Sequence, residues 1–423
     1  QLPTRMLTAR RTILSCLKLR RVALPTASIF SRVSHRISDP FPGLRRQMSF
    51  EISSALDTVH FTQGNKGNGL RLRKDQKYAH WGGTGIRRVL LLRSITRDAT
   101  KEPFIATYKF LRERDIEVVL DRSDVDTVAL ATRTRVEKHE NPKTLDFDLA
   151  VCIGGDGLLL YACMTFFQRR APPVLCFNMG SLGFLTSFPV SQYEHHLQRL
   201  ITEKRRNVTL RMRLQCVVHR SEQSQMHLKY LPERGFGTGS VTAMDSVEEH
   251  VLVSKGVHVL NEIVIDRGPA PYLSNLECYC DGHLVTRVQA DGLIIATPTG
   301  STAYSLSASG SMVHPGVPAI LFTPVCPHSL SFRPVVFPND VTLVVKVPED
   351  ARAAVWVSFD GRNRVQLSRG DFVSITSSAW AVPTLNLEDS TVDWFRSATE
   401  CLRWNERVVQ GNFSADDKEM GGG

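Results

Sequence analysis

No run of 18 or more apolar residues occurs in the 423-residue chain, so no segment has the make-up of a membrane-spanning helix. Paired cysteines are scarce too. The nine cysteines are odd in number and scattered, mostly inside apolar runs such as Val151-Cys152-Ile153, which is how reduced, buried thiols look. Only Cys278-Tyr279-Cys280 is close-spaced. On an alternating strand both thiols face one side, yet no second pair completes a metal site, so no metal ligands are expected. Internal repeats are lacking. With 42% hydrophobic residues and a mean hydropathy of -0.13, collagen, mucin and wholesale disorder are excluded, and the length suits about two or three domains.

Acidic residues are nearly missing from one end. Residues 1–46 hold ten Lys and Arg against the single acid Asp39, and the remaining chain carries 42 bases and 41 acids. A near-neutral body argues against a broad footprint for DNA or RNA, so no nucleic-acid partner is expected. The leader is rich in Arg and Ser, with Ile13, Leu14, Leu17 and Leu19 between its charges, a composition that fits a mitochondrial or plastid transit peptide. An untargeted tail is the plain alternative, with Met48 a candidate start. The expected location is cytoplasmic, or mitochondrial or plastid if residues 1–47 are an address.

Beyond the leader, residues 47–85 read as a glycine-marked linker. Val89–Leu92, Ile116–Leu120, Leu149–Ile153 and Val174–Phe177 read as buried strands. Phe104, Tyr108 and Leu111 mark a helix with Pro103 in its first turn. Strands separated by helix-length segments imply a mostly parallel sheet. After about residue 205 the texture turns to short alternating strands, with Asp281-Gly282 and Asp360-Gly361 predicting two-residue hairpins. Residues 221–256 read as an inserted loop. Asp393 is placed to cap a last helix carrying Phe395, Ala398 and Leu402 on one face.

Gly154-Gly155-Asp156-Gly157 lies at a strand-to-helix junction, where glycines and helix N–H groups suit a phosphate. An acid there repels phosphate, so Asp156 must serve some other purpose, either accepting the proton of an attacking hydroxyl or simply capping its helix. Asn178–Leu185 follows the next strand and puts more glycines at the same sheet edge, where α/β sheets bind ligands. Asn261-Glu262 interrupts the apolar stretch Val257–Ile265. That placement suggests pairing with sugar hydroxyls or an adenine edge, or else a half-exposed strand. Asp291 precedes an apolar strand and the turn Thr297–Tyr304, in which Ser301 or Thr302 is a natural N-cap and Tyr304 is available for stacking.

With these segments in order, together with His328–Pro334 and Val357–Arg362, the chain resembles the NAD kinase family, closest to the animal-type ATP-dependent enzymes, over about residues 86–407. The resemblance implies a Rossmann-like α/β domain at 86–204 and an all-β, sandwich-type domain at 205–385. A segment at 386–410 would return to the first domain, with a polar tail at 411–423. It implies phosphoryl transfer from Mg-ATP to the adenosine 2′-hydroxyl of NAD, and homo-oligomers, tetramers or dimers. Asp156 would be the base. Gly154, Gly155 and Gly157 would hold ATP phosphates, while Asp156, Gly157, Asn261, Glu262, Asp291, Thr302, Ala303, Tyr304 and Ser307 would contact NAD. Gln289 falls where some relatives carry a substrate-contacting Arg from a neighbouring subunit. Leu158 stands where the family usually has Thr, a departure that costs a hydroxyl near the phosphates and opens the alternative of a dinucleotide-binding regulatory protein without turnover. A diacylglycerol or sphingosine kinase is the other alternative, since those enzymes are similar around Gly154–Gly157.

Overall fold

The computed structural model describes residues 77–81, 85–132, 146–203, 205–221 and 256–406, all within one unit spanning Arg46–Gly423. The basic leader, Met48, most of the linker, the body of the 221–256 loop and the tail lie outside the described residues.

The first half forms a sheet from β1 (Lys77–His80), β2 (Arg88–Arg93), β3 (Glu117–Leu120), β4 (Leu149–Ile153), β5 (Val174–Asn178), β6 (Phe188–Pro189) and β7 (Arg205–Arg211). Helices α1 (Lys101–Arg112), α2 (Arg122–Thr132), α3 (Asp156–Thr165) and α4 (Tyr193–Glu203) connect them. Strands β2 to β6 pair in parallel, as their buried apolar runs and helical crossovers require. Strand β1 falls inside the segment read as linker. It is four residues long, too short for a pattern to show, and pairs antiparallel with β7. One apolar cluster under α1, α2 and α4 and another under α3 cover the two faces of the sheet.

The second half adds β8 (Leu214–His219), β9 (Val257–Val259), β10 (Glu262–Asp266), β11 (Ser274–Cys280), β12 (His283–Ala296), β13 (Ala319–Pro327), β14 (Val335–Pro338), β15 (Leu343–Lys346), β16 (Val355–Phe359), β17 (Arg362–Leu367) and β18 (Phe372–Ser377). These make one antiparallel sheet ordered β17-β16-β10-β12-β11-β15-β18-β8-β9, with β13 and β14 branching from β12. A single core gathers side chains from both ends of that order, so the sheet folds over upon itself in two layers. Both Asp-Gly hairpins form as expected. Cys280 pairs with His283 and Phe359 with Arg362, and the turn residues take positive φ, +48° and +83° in the first turn and +47° and +71° in the second.

The chain then returns to the first sheet. Strand β19 (Val382–Leu385) inserts between β5 and β7, and α6 (Ser390–Leu402) follows the short helix α5 (Tyr304–Ser307) in chain order. The cap of α6 is Asp389, which accepts the Thr391 and Val392 N–H groups, and not Asp393. Asp393 sits within the first turn and folds back to accept the Leu387 and Glu388 N–H groups. The buried face of α6 is Asp393, Ser397 and Ala398, while Phe395 and Leu402 are exposed, because the contact surface is a polar loop and not an apolar groove.

Candidate functional site

The turn between β4 and α3 contains only Gly154 and Gly155, and Asp156 opens the helix. Asp156 does not cap that helix, since Gly155 occupies the N-cap position without a side chain to offer. Its carboxylate reaches across to the loop after β5. There Oδ2 accepts the Phe184 N–H at 2.9 Å, while Oδ1 accepts the Leu185 N–H at 3.1 Å and the Thr186 hydroxyl at 3.0 Å. The two glycine-bearing motifs are therefore one structure, joined at Asp156. Gly183 permits the junction, because a Cβ there would lie 2.2 Å from Asp156 Oδ1 and 2.5 Å from Thr186 Oγ1. Helix α6 holds the outer side of the loop: the Ser397 hydroxyl donates to the Gly183 carbonyl at 3.1 Å and the Cys401 thiol to the Leu182 carbonyl at 3.2 Å. Of about four acceptor positions on a carboxylate, these donors fill three and leave one on Oδ2.

Asn261 and Glu262 lie where the chain crosses from β9 into β10, so the stretch is two strands and not one half-exposed strand. Leu260 anchors the crossing by packing into the core beneath α3. Asp360, legible in the sequence only as a turn residue, anchors it from the other side. Its buried carboxylate accepts the N–H groups of Leu260 (2.8 Å), Asn261 (2.8 Å) and Glu262 (3.1 Å). Burial pushes the Asp360 carboxyl up, and those three backbone donors oppose the shift. With the backbone fixed in this way, Asn261 Oδ1 and Glu262 Oε2 are left buried without a hydrogen-bond partner among the described residues. Burial, followed by the charge of Asp360, pushes Glu262 up to about 8, while the Tyr304 N–H acts to lower it. Buried acceptors are almost always satisfied, so two adjacent orphans are open to donors from a ligand.

The turn after β12 packs on this crossing. Thr297 donates through its N–H to the Asn261 carbonyl at 2.8 Å and through its hydroxyl to the Leu260 carbonyl at 2.6 Å. A Cβ on Gly300 would lie 2.3 Å from the Asn261 carbonyl oxygen, so only glycine allows the approach. Neither Ser301 nor Thr302 is an N-cap. Ser301 is buried and ties Pro298 to Val313, and Thr302 donates to the Thr299 carbonyl, because the turn is a 3-10 segment before the one-turn helix α5. Tyr304 and Ser307 are exposed, and Thr302 and Ala303 half-buried. Asp291 is half-exposed and paired with Arg267 at 2.7 Å. Gln289 is exposed, beside Tyr272, His328 and Arg352.

Arg211 connects the two halves and is not among the residues expected at the site. From β7 its buried guanidinium donates to the Phe184 carbonyl at 3.1 Å, to the Thr299 hydroxyl at 3.5 Å and to the Thr384 hydroxyl at 2.9 Å. Burial pushes Arg211 down, and the negative charge of Asp156 acts against it. The readable signal is Arg211 and Arg213 at strand spacing within an apolar run, two cations turned to the same, inward face.

Gly155, Gly157 and Leu158 line a cleft of about 790 Å³ at the carboxyl ends of β2 and β3. The other walls include Arg93, Arg97, Tyr161 and Arg362, the last delivered from β17 of the second sheet. No side chain projects from Gly155 or Gly157, and an added Cβ at either would meet nothing within 4 Å, so the backbone there faces open space. Among the described residues no group of three or more His, Cys, Asp or Glu side chains forms a cation site, and Cys278 and Cys280 find no second pair.

Both halves of the chain are similar to known proteins. Residues 90–205 match the model of the ATP-NAD kinase N-terminal domain and residues 260–387 that of the C-terminal domain, together more than half of the chain. NAD kinase 2, chloroplastic, of Arabidopsis thaliana is 50% identical over 267 residues, covering 62% of this chain and 24% of that protein. The NAD(+) kinase of Saccharomyces cerevisiae is 46% identical over 284 residues, 67% of this chain and 49% of that one. The chain thus spans about a quarter to a half of the length of these relatives. A crystal structure of yeast NADH kinase complexed with NADH superposes with a TM-score of 0.67 at 27% identity, covering 85% of this chain and 97% of that one. On two domain models in order and on relatives at half identity, this chain belongs to the ATP-NAD kinase family.

Proposed function

We propose that the chain transfers the γ-phosphoryl group of MgATP to the 2′-hydroxyl of the adenosine ribose of NAD, yielding NADP and ADP. The observation that carries this reading is the pair of orphaned acceptors on Asn261 and Glu262, held in one packed network with the carboxylate of Asp156, which stands in sequence between the cleft-lining Gly155 and Gly157. The 2′-hydroxyl donates to the open position on Asp156 Oδ2, its oxygen bonds to the γ-phosphorus, the bridging P–O bond breaks toward ADP, and Asp156 takes the proton. Phosphoryl transfer asks mainly for positioning and charge neutralisation, and the fixed loops provide it. Magnesium belongs to the substrate MgATP, with no residue of the chain assigned to hold it. Within this reading residues 86–204 hold ATP phosphates through Gly154, Gly155 and Gly157. Residues 205–385 hold NAD through Asn261, Glu262, Asp291, Thr302, Ala303, Tyr304 and Ser307, and residues 386–410 brace the first part.

Purified protein incubated with NAD and MgATP, with NADH in parallel, is assayed by an NADP-specific dehydrogenase. NADP formation supports the proposal, and NAD binding without NADP favours the non-catalytic reading that Leu158 raises. A lipid kinase gives no account of the orphaned acceptors. The proposal includes a homo-oligomer, since Leu284, Val285, Val335 and Val336 expose apolar surface that a second copy would cover; light scattering tests it. It places the protein in the cytoplasm, or in a mitochondrion or plastid if residues 1–47 act as an address. Imaging the full chain against one starting at Met48 decides between these. No helix among the described residues is long and apolar enough to cross a membrane.

A further inference from the structure

Arg362 takes no part in the proposed reaction, and its backbone position is set by the Asp360-Gly361 turn. The same two-residue turn that aims Asp360 inward at the Asn261-Glu262 crossing sends the next residue outward to the donor cleft. Some of the other charges of that cleft are engaged, while Arg97, at its rim, forms no ion pair among the described residues. Arg93 pairs with Asp124 at 2.7 Å in a nearly buried bridge, and Asp121 accepts the Tyr161 hydroxyl at 2.8 Å. Arg362 is exposed and forms no ion pair among the described residues; its guanidinium carbon rests 5.4 Å from the centroid of the Tyr161 ring. Tyr161 follows Leu158 by three positions on α3, so the two share a helix face, and both line the cleft with Arg362. A guanidinium lying over an aromatic face in this cleft of about 790 Å³, with no carboxylate partner among the described residues, is poised for bidentate contact with phosphate oxygens.

We propose that Arg362 clamps the phosphates of ATP across the two halves of the protein, supplying from β17 the polar contact that Leu158 cannot make. It would be a binding residue for the donor, held ready by the Tyr161 ring. The inference rests on the phosphotransfer reading above and deepens it at the donor subsite.

The test is steady-state kinetics of wild type, Arg362→Gln, Arg362→Lys, Leu158→Thr and the Arg362→Gln/Leu158→Thr pair, with MgATP and NAD varied separately. Calorimetric titration of MgATP and melting temperatures accompany each variant. Arg362→Gln is expected to raise KM and Kd for MgATP by about tenfold or more, the loss of a charged hydrogen-bond pair, while KM for NAD stays within about twofold. Arg362→Lys recovers only part of this, because an ammonium cannot bind in bidentate fashion. Leu158→Thr should improve ATP affinity more in the Arg362→Gln background than in wild type. An unchanged KM and Kd for MgATP in Arg362→Gln overturns the inference. So does an equal rise in both KM values accompanied by a lowered melting temperature, which would make Arg362 a structural residue. Failure of the phosphotransfer reading is separate, since it would show as wild type forming no NADP.

Discussion

Gly183→Ala is the smallest change that should disable the site without touching a functional side chain. The added methyl carbon would stand 2.2 Å from Asp156 Oδ1 and 2.5 Å from Thr186 Oγ1, where carbon and oxygen need about 3.2 Å, so the carboxylate must move by about 1 Å. Asp156 has a short side chain fixed by donors from Phe184, Leu185 and Thr186, and moving it stretches at least the two bonds to Oδ1. The backbone at Gly183 does not have positive φ, so alanine brings no conformational strain and the effect is one of position. A displacement of that size at a reacting group lowers turnover by roughly a hundredfold. The two stretched bonds to the carboxylate cost at most about 1.5–3 kcal/mol each, a loss the thermal melt reads directly. The assay is kcat for NADP formation beside calorimetric NAD affinity and a thermal melt. A folded Gly183→Ala protein with wild-type kcat would refute the claim that the Asp156 geometry is set by this loop.

Asp360→Ala removes the acceptor of three buried backbone N–H groups and should cost at least about 3 kcal/mol in urea unfolding; Asp360→Asn, which keeps one oxygen, should cost less. Glu262 carries a folded-state value of about 8 against an ordinary 4.5, so between those values the native state holds a proton that the unfolded chain has lost, and stability falls as pH rises through that window. Glu262→Gln should therefore melt above wild type at pH 8, with the advantage shrinking to nothing near pH 4.5, and parallel curves at all pH values would contradict the burial argument. Glu262→Ala should weaken NAD binding by about tenfold or more, whereas unchanged affinity would remove it from the NAD site.

Much of this site is readable from the sequence. Val89–Leu92, Leu149–Ile153 and Val174–Phe177 are apolar on both faces, and the second runs directly into Gly154, so strand identity and the Gly154–Gly157 junction follow from local pattern. The two Asp-Gly turns fix their hairpins because the conformation is local. What escapes is what depends on distant partners. Asp360, 98 to 100 residues from the N–H groups it accepts, looks like any turn aspartate until the crossing is placed over it. Arg211 meets Phe184, Thr299 and Thr384, which lie on three separate segments. Ser301 is not the cap its position suggests, because hydroxyls after a strand suit either a cap or a buried tie, and its contact with Val313 decides for the tie. Asp393 differs from expectation for a related reason. Asp389 and Asp393 both precede apolar positions of the last helix, and only the backbone path shows which carboxylate meets the first-turn N–H groups.

The most direct test of the account compares wild type with Asp156→Asn under single-turnover conditions with NAD and MgATP, following NADP by chemical quench while calorimetry records NAD binding. Asparagine preserves the shape but cannot take the proton, so the account predicts NADP from wild type and almost none from the variant at similar NAD affinity. Equal NADP formation by the two proteins would contradict Asp156 as the base and with it the reading of the site.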